Sequence, residues 1–226
     1  MRAGRKRVAT RVGLRAPKWL QVLQKFRRTP ISAGVTFPSI LALGDSLTAG
    51  YGLAPHESFP RQLEALLRAR HPEAGVINAG VSGDTSAGGL ARLGRLLGRL
   101  TARPDLAIVE LGANDLLRGI APERMRDNLD AILTELKRCG IPVLLAGMWA
   151  PPFLGAFAER YNCVFPELAR THGVPLYPFF LAGVAGDPKL TLRDRVHPNA
   201  EAIGIVARSI LPHVERALAG AQRAAA

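Results

Sequence analysis

From Ser39 onward the chain alternates short apolar runs with longer stretches of helical period. Ile40-Leu41-Ala42-Leu43 reads as a buried strand. The next stretch, from Ser58 to Arg70, places Phe59, Leu63, Leu66 and Leu67 at helical spacing. Gly75-Val76-Ile77-Asn78-Ala79 reads as a second strand, and Leu90, Leu93, Leu96, Leu97 and Leu100 mark a helix from about Ser86 to Leu100. Leu106 to Leu111 is the clearest strand. Pro122 suits a first helical turn, Met125, Leu129, Ile132, Leu133 and Leu136 carry that helix to about Arg138, and Gly140 stops it. A fourth strand covers Pro142 to Gly147, a helix about Leu154 to Thr171, a short fifth strand Val174 to Tyr177, and a last helix about Asn199 to Leu218. Five strand–helix alternations predict an α/β domain: a parallel sheet of five strands between two helical layers, a three-layer α/β/α sandwich. In such sheets ligands meet the carboxyl ends of the strands, so reactive residues are expected just after strands.

The first part of the chain has a different character. Residues 1–38 hold ten Lys or Arg and no acid, whereas the rest holds twenty basic and eighteen acidic residues, so the net charge of +12 belongs mostly to this extension. The domains therefore read as a basic, poorly ordered extension at 1–38 and a folded body at 39–220. No apolar run of seven or more residues follows the basic start, so a secretory signal is not expected and the chain as it stands reads as cytoplasmic. Trp19, Leu20, Val22, Leu23 and Phe26 lie near helical spacing among Lys18, Lys25, Arg27 and Arg28. Residues 17–28 thus suit peripheral contact with an anionic membrane, alongside the plainer reading of an unstructured tail or an upstream start site. No nucleic-acid partner is expected. Nowhere do 18 consecutive apolar residues occur, so no membrane-spanning helix is expected. Cys139 and Cys163 read as unpaired thiols, and neither has metal-ligand spacing.

Four segments carry candidate chemistry. Gly44-Asp45-Ser46-Leu47 follows the first strand and would present the Ser46 hydroxyl at the sheet edge, although such a triplet also makes an ordinary turn. Gly80-Val81-Ser82-Gly83-Asp84-Thr85 follows the second and can offer a backbone N–H at Gly83, or simply cap a helix. Gly112-Ala113-Asn114-Asp115 follows the third, and the Asn114 amide can donate to a developing oxyanion. Asp194-Arg195-Val196-His197-Pro198-Asn199 places a carboxylate three residues before an imidazole, a spacing that lets one orient the other; Pro198 and Asn199 equally suit a helix start.

The ordered set of GDSLTAGYG, NAGVSGDTS, ELGANDLLRG and DRVHPN resembles the blocks of the SGNH (GDSL-like) hydrolases over roughly Ser39 to Leu218. Its nearest likeness is to the bacterial thioesterase I, lysophospholipase and arylesterase group. The resemblance implies a flavodoxin-like sheet, a catalytic triad of Ser46, Asp194 and His197, and an oxyanion hole from the backbone N–H of Ser46 and of Gly83 and the side chain of Asn114. It implies a serine esterase acting on small-molecule acyl esters or thioesters through an acyl-Ser46 intermediate, with no metal and no cofactor. A carbohydrate O-acetylesterase is the alternative on the same fold; a non-catalytic binding module is less well supported, since all three triad residues are present. Arg195 stands where the pattern more often has glycine, and the look-alikes are commonly exported to the periplasm. Leu116, Leu117, Trp149, Pro151 and Phe153 fall on the same edge and suit an apolar acyl groove or, equally, ordinary core.

Overall fold

The computed structural model describes residues 38–225. Its strands are β1 (Ser39–Gly44), β2 (Gly75–Gly80), β3 (Leu106–Glu110), β4 (Val143–Ala146) and β5 (Leu176–Tyr177). They form one parallel sheet in the order β2-β1-β3-β4-β5. The helices are α1 (Ser46–Ala49), α2 (Phe59–Arg68), α3 (Ser86–Arg99), α4 (Ala113–Leu117), α5 (Pro122–Arg138), α6 (Ala156–His172) and α7 (Ala200–Ala225). The basic stretch at 17–28, with its expected membrane contact, lies outside the described residues.

The near-continuous apolar strands follow from burial on both faces. In β1, Leu41 and Leu43 join Leu93, Leu97, Leu129 and Leu133 in one core layer. Ile40 and Ala42 face the other way and pack with Phe59, Leu63, Ile203 and Val206. β3 alternates in the same sense, Ala107 and Val109 against Leu106 and Ile108. The three layers expected from the alternation are therefore present, with each fully buried Leu or Ile contributing about 1.5–3 kcal/mol. The expected helical stripe of α5 is wholly inside: Met125, Leu129, Ile132, Leu133 and Leu136 are all buried.

The boundaries differ at instructive places. β5 begins at Leu176 rather than Val174, because Pro175 has no N–H to give the ladder and only its carbonyl pairs, with Leu145 N at 3.0 Å. α6 begins at Ala156, since Pro152–Leu154 form a separate 3-10 turn first. α7 runs past the 220 boundary to Ala225, carried by a run of strong helix formers including Ala217, Ala219 and Ala221. Two short helices, α1 and α4, replace simple turns after β1 and β3.

The register levels the ends of three strands, with Gly44 opposite both Gly80 and Glu110. The chain leaves β1 for β2 on one side and returns to β3 on the other. Loops after β1 and β3 therefore diverge and leave a crevice at their carboxyl ends, the expected place for a site.

Candidate active site

Ser46 is the first residue of α1, immediately beyond that crevice. Gly44 makes the tight exit possible: a Cβ there would overlap Thr48 Oγ1 and lie 2.6 Å from Glu110 Oε2. Asp45 caps α1, its Oδ1 accepting from Leu47 N at 2.9 Å. The Ser46 residue is only 9% exposed, yet its Oγ lies 3.0 Å from His197 Nε2.

His197 arrives from the far end of the chain on a loop that closes on itself. Thr191 and Pro198 form an antiparallel bridge, Leu192 N donates to His197 O at 2.7 Å, and Asn199 N donates to Leu190 O at 2.9 Å. Asp194 and His197 occupy the tip of this clamp. Asp194 Oδ2 lies 2.7 Å from His197 Nδ1, while its Oδ1 accepts from Val196 N at 2.9 Å and His197 N at 3.0 Å. Those backbone donors, His197 N foremost, hold the Asp194 carboxyl down at about 2. With Asp194 ionised, the tautomer that keeps a proton on Nδ1 leaves Nε2 free to accept from the Ser46 hydroxyl. Arg195 takes up the turn with φ 57°, the left-handed conformation that the more usual glycine adopts without strain. Among the described residues it is the one non-glycine there.

Neither Ser46 N–H nor Gly83 N–H donates a hydrogen bond among the described residues. Asn114 is different. Its Nδ2 donates both to Asp45 Oδ2 and to Asp84 O, each at 2.9 Å, so both amide hydrogens are engaged. The Asp84 side chain is in turn held by Arg92 at 2.6 Å, and Arg92 Nη2 donates to Gly44 O at 3.0 Å. The loops after β1, β2 and β3 are thereby tied together around Ser46.

Several residues here escaped sequence reasoning. Tyr51 lays its ring on the His197 imidazole, with centroids 4.4 Å apart and planes at 37°. Its loop is seated by close approach: a Cβ at Gly52 (φ 73°) would come within 2.6 Å of Leu192 Cδ1, on the histidine loop. A tyrosine between two glycines just beyond Ser46 was the available signal. Glu110 is buried beneath the crevice, where its Oε2 accepts from Thr48 Oγ1 at 2.8 Å and from Asp45 N at 3.4 Å. An acid ending an otherwise apolar buried strand could have flagged it. Burial pushes Asp45 up to about 6, and burial together with the Asp45 charge pushes Glu110 well above the ordinary carboxylate range. Both shifts favour the neutral form of the carboxyl. Asp115, fully buried, accepts from Ser86 N at 2.7 Å and Ser86 Oγ at 2.6 Å, which fixes α4 against the start of α3.

The five residues expected to line an acyl groove share this edge but not one environment. Leu116 packs on the core, and Pro151 precedes the 3-10 turn. Leu117 and Phe153 are 73% and 83% exposed, and Trp149 stands edge-on to Phe179 at 6.1 Å. No hydrogen bond or ring contact joins these five to the triad.

Residues 42–202 match the model of the GDSL-like Lipase/Acylhydrolase family. An arylesterase of Vibrio mimicus is 38% identical over 180 residues, covering 77% of this chain and 89% of that protein. The thioesterase 1/protease 1/lysophospholipase L1 of Escherichia coli is 37% identical over 170 residues, covering 75% of this chain and 79% of that one. Among solved structures, AlinE4, an esterase of the SGNH-hydrolase family, is 48% identical with a TM-score of 0.68, covering 81% of this chain and 97% of its own.

Proposed function

Because the chain belongs to the GDSL-like lipase/acylhydrolase family, we propose that it hydrolyses carboxylic esters and thioesters through a covalent acyl-Ser46 intermediate. The observation that carries this is the hydrogen-bonded line Ser46–His197–Asp194, assembled from residues 151 and 3 positions apart. His197 Nε2 takes the hydroxyl proton as Ser46 Oγ attacks the acyl carbonyl. It then returns the proton to the departing alcohol or thiol, and water repeats the sequence on the acyl-enzyme. Asp194 holds the ring and stabilises the imidazolium. The Tyr51 ring shields one face of that imidazolium, and its π-face favours the positive charge.

The unpaired N–H groups of Ser46 and Gly83 supply two donors to the tetrahedral oxyanion. Asn114 supplies the third by sharing one N–H, in a three-centre bond, with Asp45 Oδ2 or Asp84 O. Asp45 thus acts as a positioning residue for the hole. The apolar side chains along the edge favour acyl groups longer than acetyl, and an apolar surface separates neighbouring chain lengths by only about 1–3 kcal/mol per methylene. Broad activity across aryl esters, acyl thioesters and lysophospholipids is expected. Residues 17–28 add a peripheral contact with anionic membranes.

A chain-length series of p-nitrophenyl esters, acyl-CoAs and lysophospholipids tests this reading. Rates rising from acetyl to medium chains support it; activity confined to acetyl groups on sugars would replace it with the O-acetylesterase reading.

A further inference from the structure

Among the described residues, large apolar side chains that stand exposed are not scattered over the surface. Phe153 (83%), Leu117 (73%), Val196 (59%) and Trp149 (54%) are the most exposed, followed by Tyr51, Val81 and Leu154. Tyr51 follows β1, Val81 follows β2, Leu117 follows β3, the residues from Trp149 to Leu154 follow β4, and Val196 adjoins His197. All seven therefore lie on the catalytic edge, and among the described residues none lies on the amino edge or on the outer faces of the long helices. Groove-lining side chains would be covered by an opposite wall. Side chains as open as Phe153 and Leu117 project past any such wall, and a soluble surface rarely concentrates them in this way.

The charges on the same edge are unequal. Arg118, Lys189, Arg193 and Arg195 are exposed there. The exposed acids of these loops are Asp187 and Asp194, the first capping a short turn and the second holding His197. An apolar rim with Trp and Tyr, flanked by an excess of exposed basic over exposed acidic side chains, matches the headgroup region of an anionic lipid layer.

We propose that the catalytic edge docks on an anionic lipid surface and that Ser46 draws its acyl esters from that surface. This rests on the hydrolase reading of Ser46. A protein partner seated on this edge would cover Ser46, whereas a lipid layer delivers the substrate to it. Each inserted aromatic or aliphatic tip strengthens binding by about tenfold or more, and each Lys or Arg near the surface by roughly fivefold, a part that salt removes.

The test uses the full chain and its F153S/L154S variant, both checked for an unchanged circular dichroism spectrum. Partition is measured by sedimentation with vesicles of phosphatidylcholine alone and of phosphatidylcholine with phosphatidylglycerol. The wild type should bind the phosphatidylglycerol vesicles more tightly, and the variant should bind them at least about tenfold less. Equal binding by both proteins would place the contact in the basic extension and overturn the proposal. No binding by the wild type would overturn it too, as would a rim-dependent dimer in velocity sedimentation without vesicle binding. Hydrolysis of a short monomeric ester by the wild type is recorded separately: its absence would sink the reading of Ser46, while its presence without vesicle binding would sink only the docking surface.

Discussion

The two edges of the sheet are built from the same strands and do opposite things. At the amino edge the chain frames a cleft of about 750 Å³, floored by Pro142, Val174 and Leu218 and bordered by Arg103, His213 and Arg216. It holds no nucleophile paired with a base. At the carboxyl edge the cavity beside Val196 and Pro198 is only about 290 Å³, yet this edge carries the proposed triad, the backbone N–H groups of Ser46 and Gly83, and the buried Asp45–Glu110 pair. Size therefore does not locate the chemistry. Strand polarity does: diverging loops at a switch in strand order bring distant residues together at one end only.

Ser46→Ala should show the widest gap between the edges, lowering kcat for ester hydrolysis by about 10⁴-fold or more. Arg216→Ala, at the opposite cleft, should leave kcat unchanged. Comparable losses in both variants would erase the distinction.

Next in size is the buried charge beneath the serine. Asp45 titrates at about 6 when folded against 3.8 as a free side chain, so the folded state binds its proton more tightly. Its contribution to stability therefore grows as pH falls from about 6 toward 3.8, by up to about 3 kcal/mol. His213, pushed below its usual 6.5 by burial, trends the other way over part of this range. The check is thus the difference between wild type and Asp45→Asn in denaturant unfolding. That difference should grow in favour of the wild type on acidification; a flat difference would show that Asp45 titrates normally. Asp194 has the opposite sign, and the stability it contributes, present above 3.8, is lost only as pH falls toward 2.

Asn114→Ala should reduce kcat about 10²-fold, at the lower end for an oxyanion donor because its N–H groups are shared, with a smaller change in KM. Tyr51→Ala should lower kcat/KM by up to about tenfold, whereas Tyr51→Phe keeps the ring and should keep the rate. An unchanged kcat/KM in Tyr51→Ala would reduce the ring to a spectator. Smallest of all, Glu110→Gln preserves the acceptor for Thr48 and Asp45 N and replaces a carboxyl whose burial favours its neutral form. Unfolding at pH 7 should change by less than about 0.5 kcal/mol; a large gain would mean that Glu110 carries a charge.

Much of the catalytic edge was legible because its demands are local. A serine after a glycine-ended strand, an asparagine after the strongest strand and a carboxylate three residues before an imidazole each announce a turn that can hold them. The core was legible from periodicity, as in α5. What stayed hidden depends on partners distant in the chain. Glu110 looked like the end of a strand until Thr48 and Asp45 were seen to bond it across 62 and 65 positions. Tyr51 escaped the sequence reading, because its partner, the His197 ring, lies far along the chain. The side chains expected to line a groove share this edge, but the exposure of Trp149 and Phe153 depends on how far the Pro151-Pro152 segment stands off the core, and no local pattern encodes that. Arg195 was noticed as a departure from glycine, and its φ of 57° shows that the turn persists regardless.

The central claim is that Ser46 is made nucleophilic by His197 at this edge. Labelling the folded chain with a fluorophosphonate and mapping the adduct by peptide mass spectrometry tests it most directly. One adduct on the Ser46 peptide, lost in His197→Ala, is the predicted result. A folded chain that stays unlabelled, or carries the label on another residue, would contradict it.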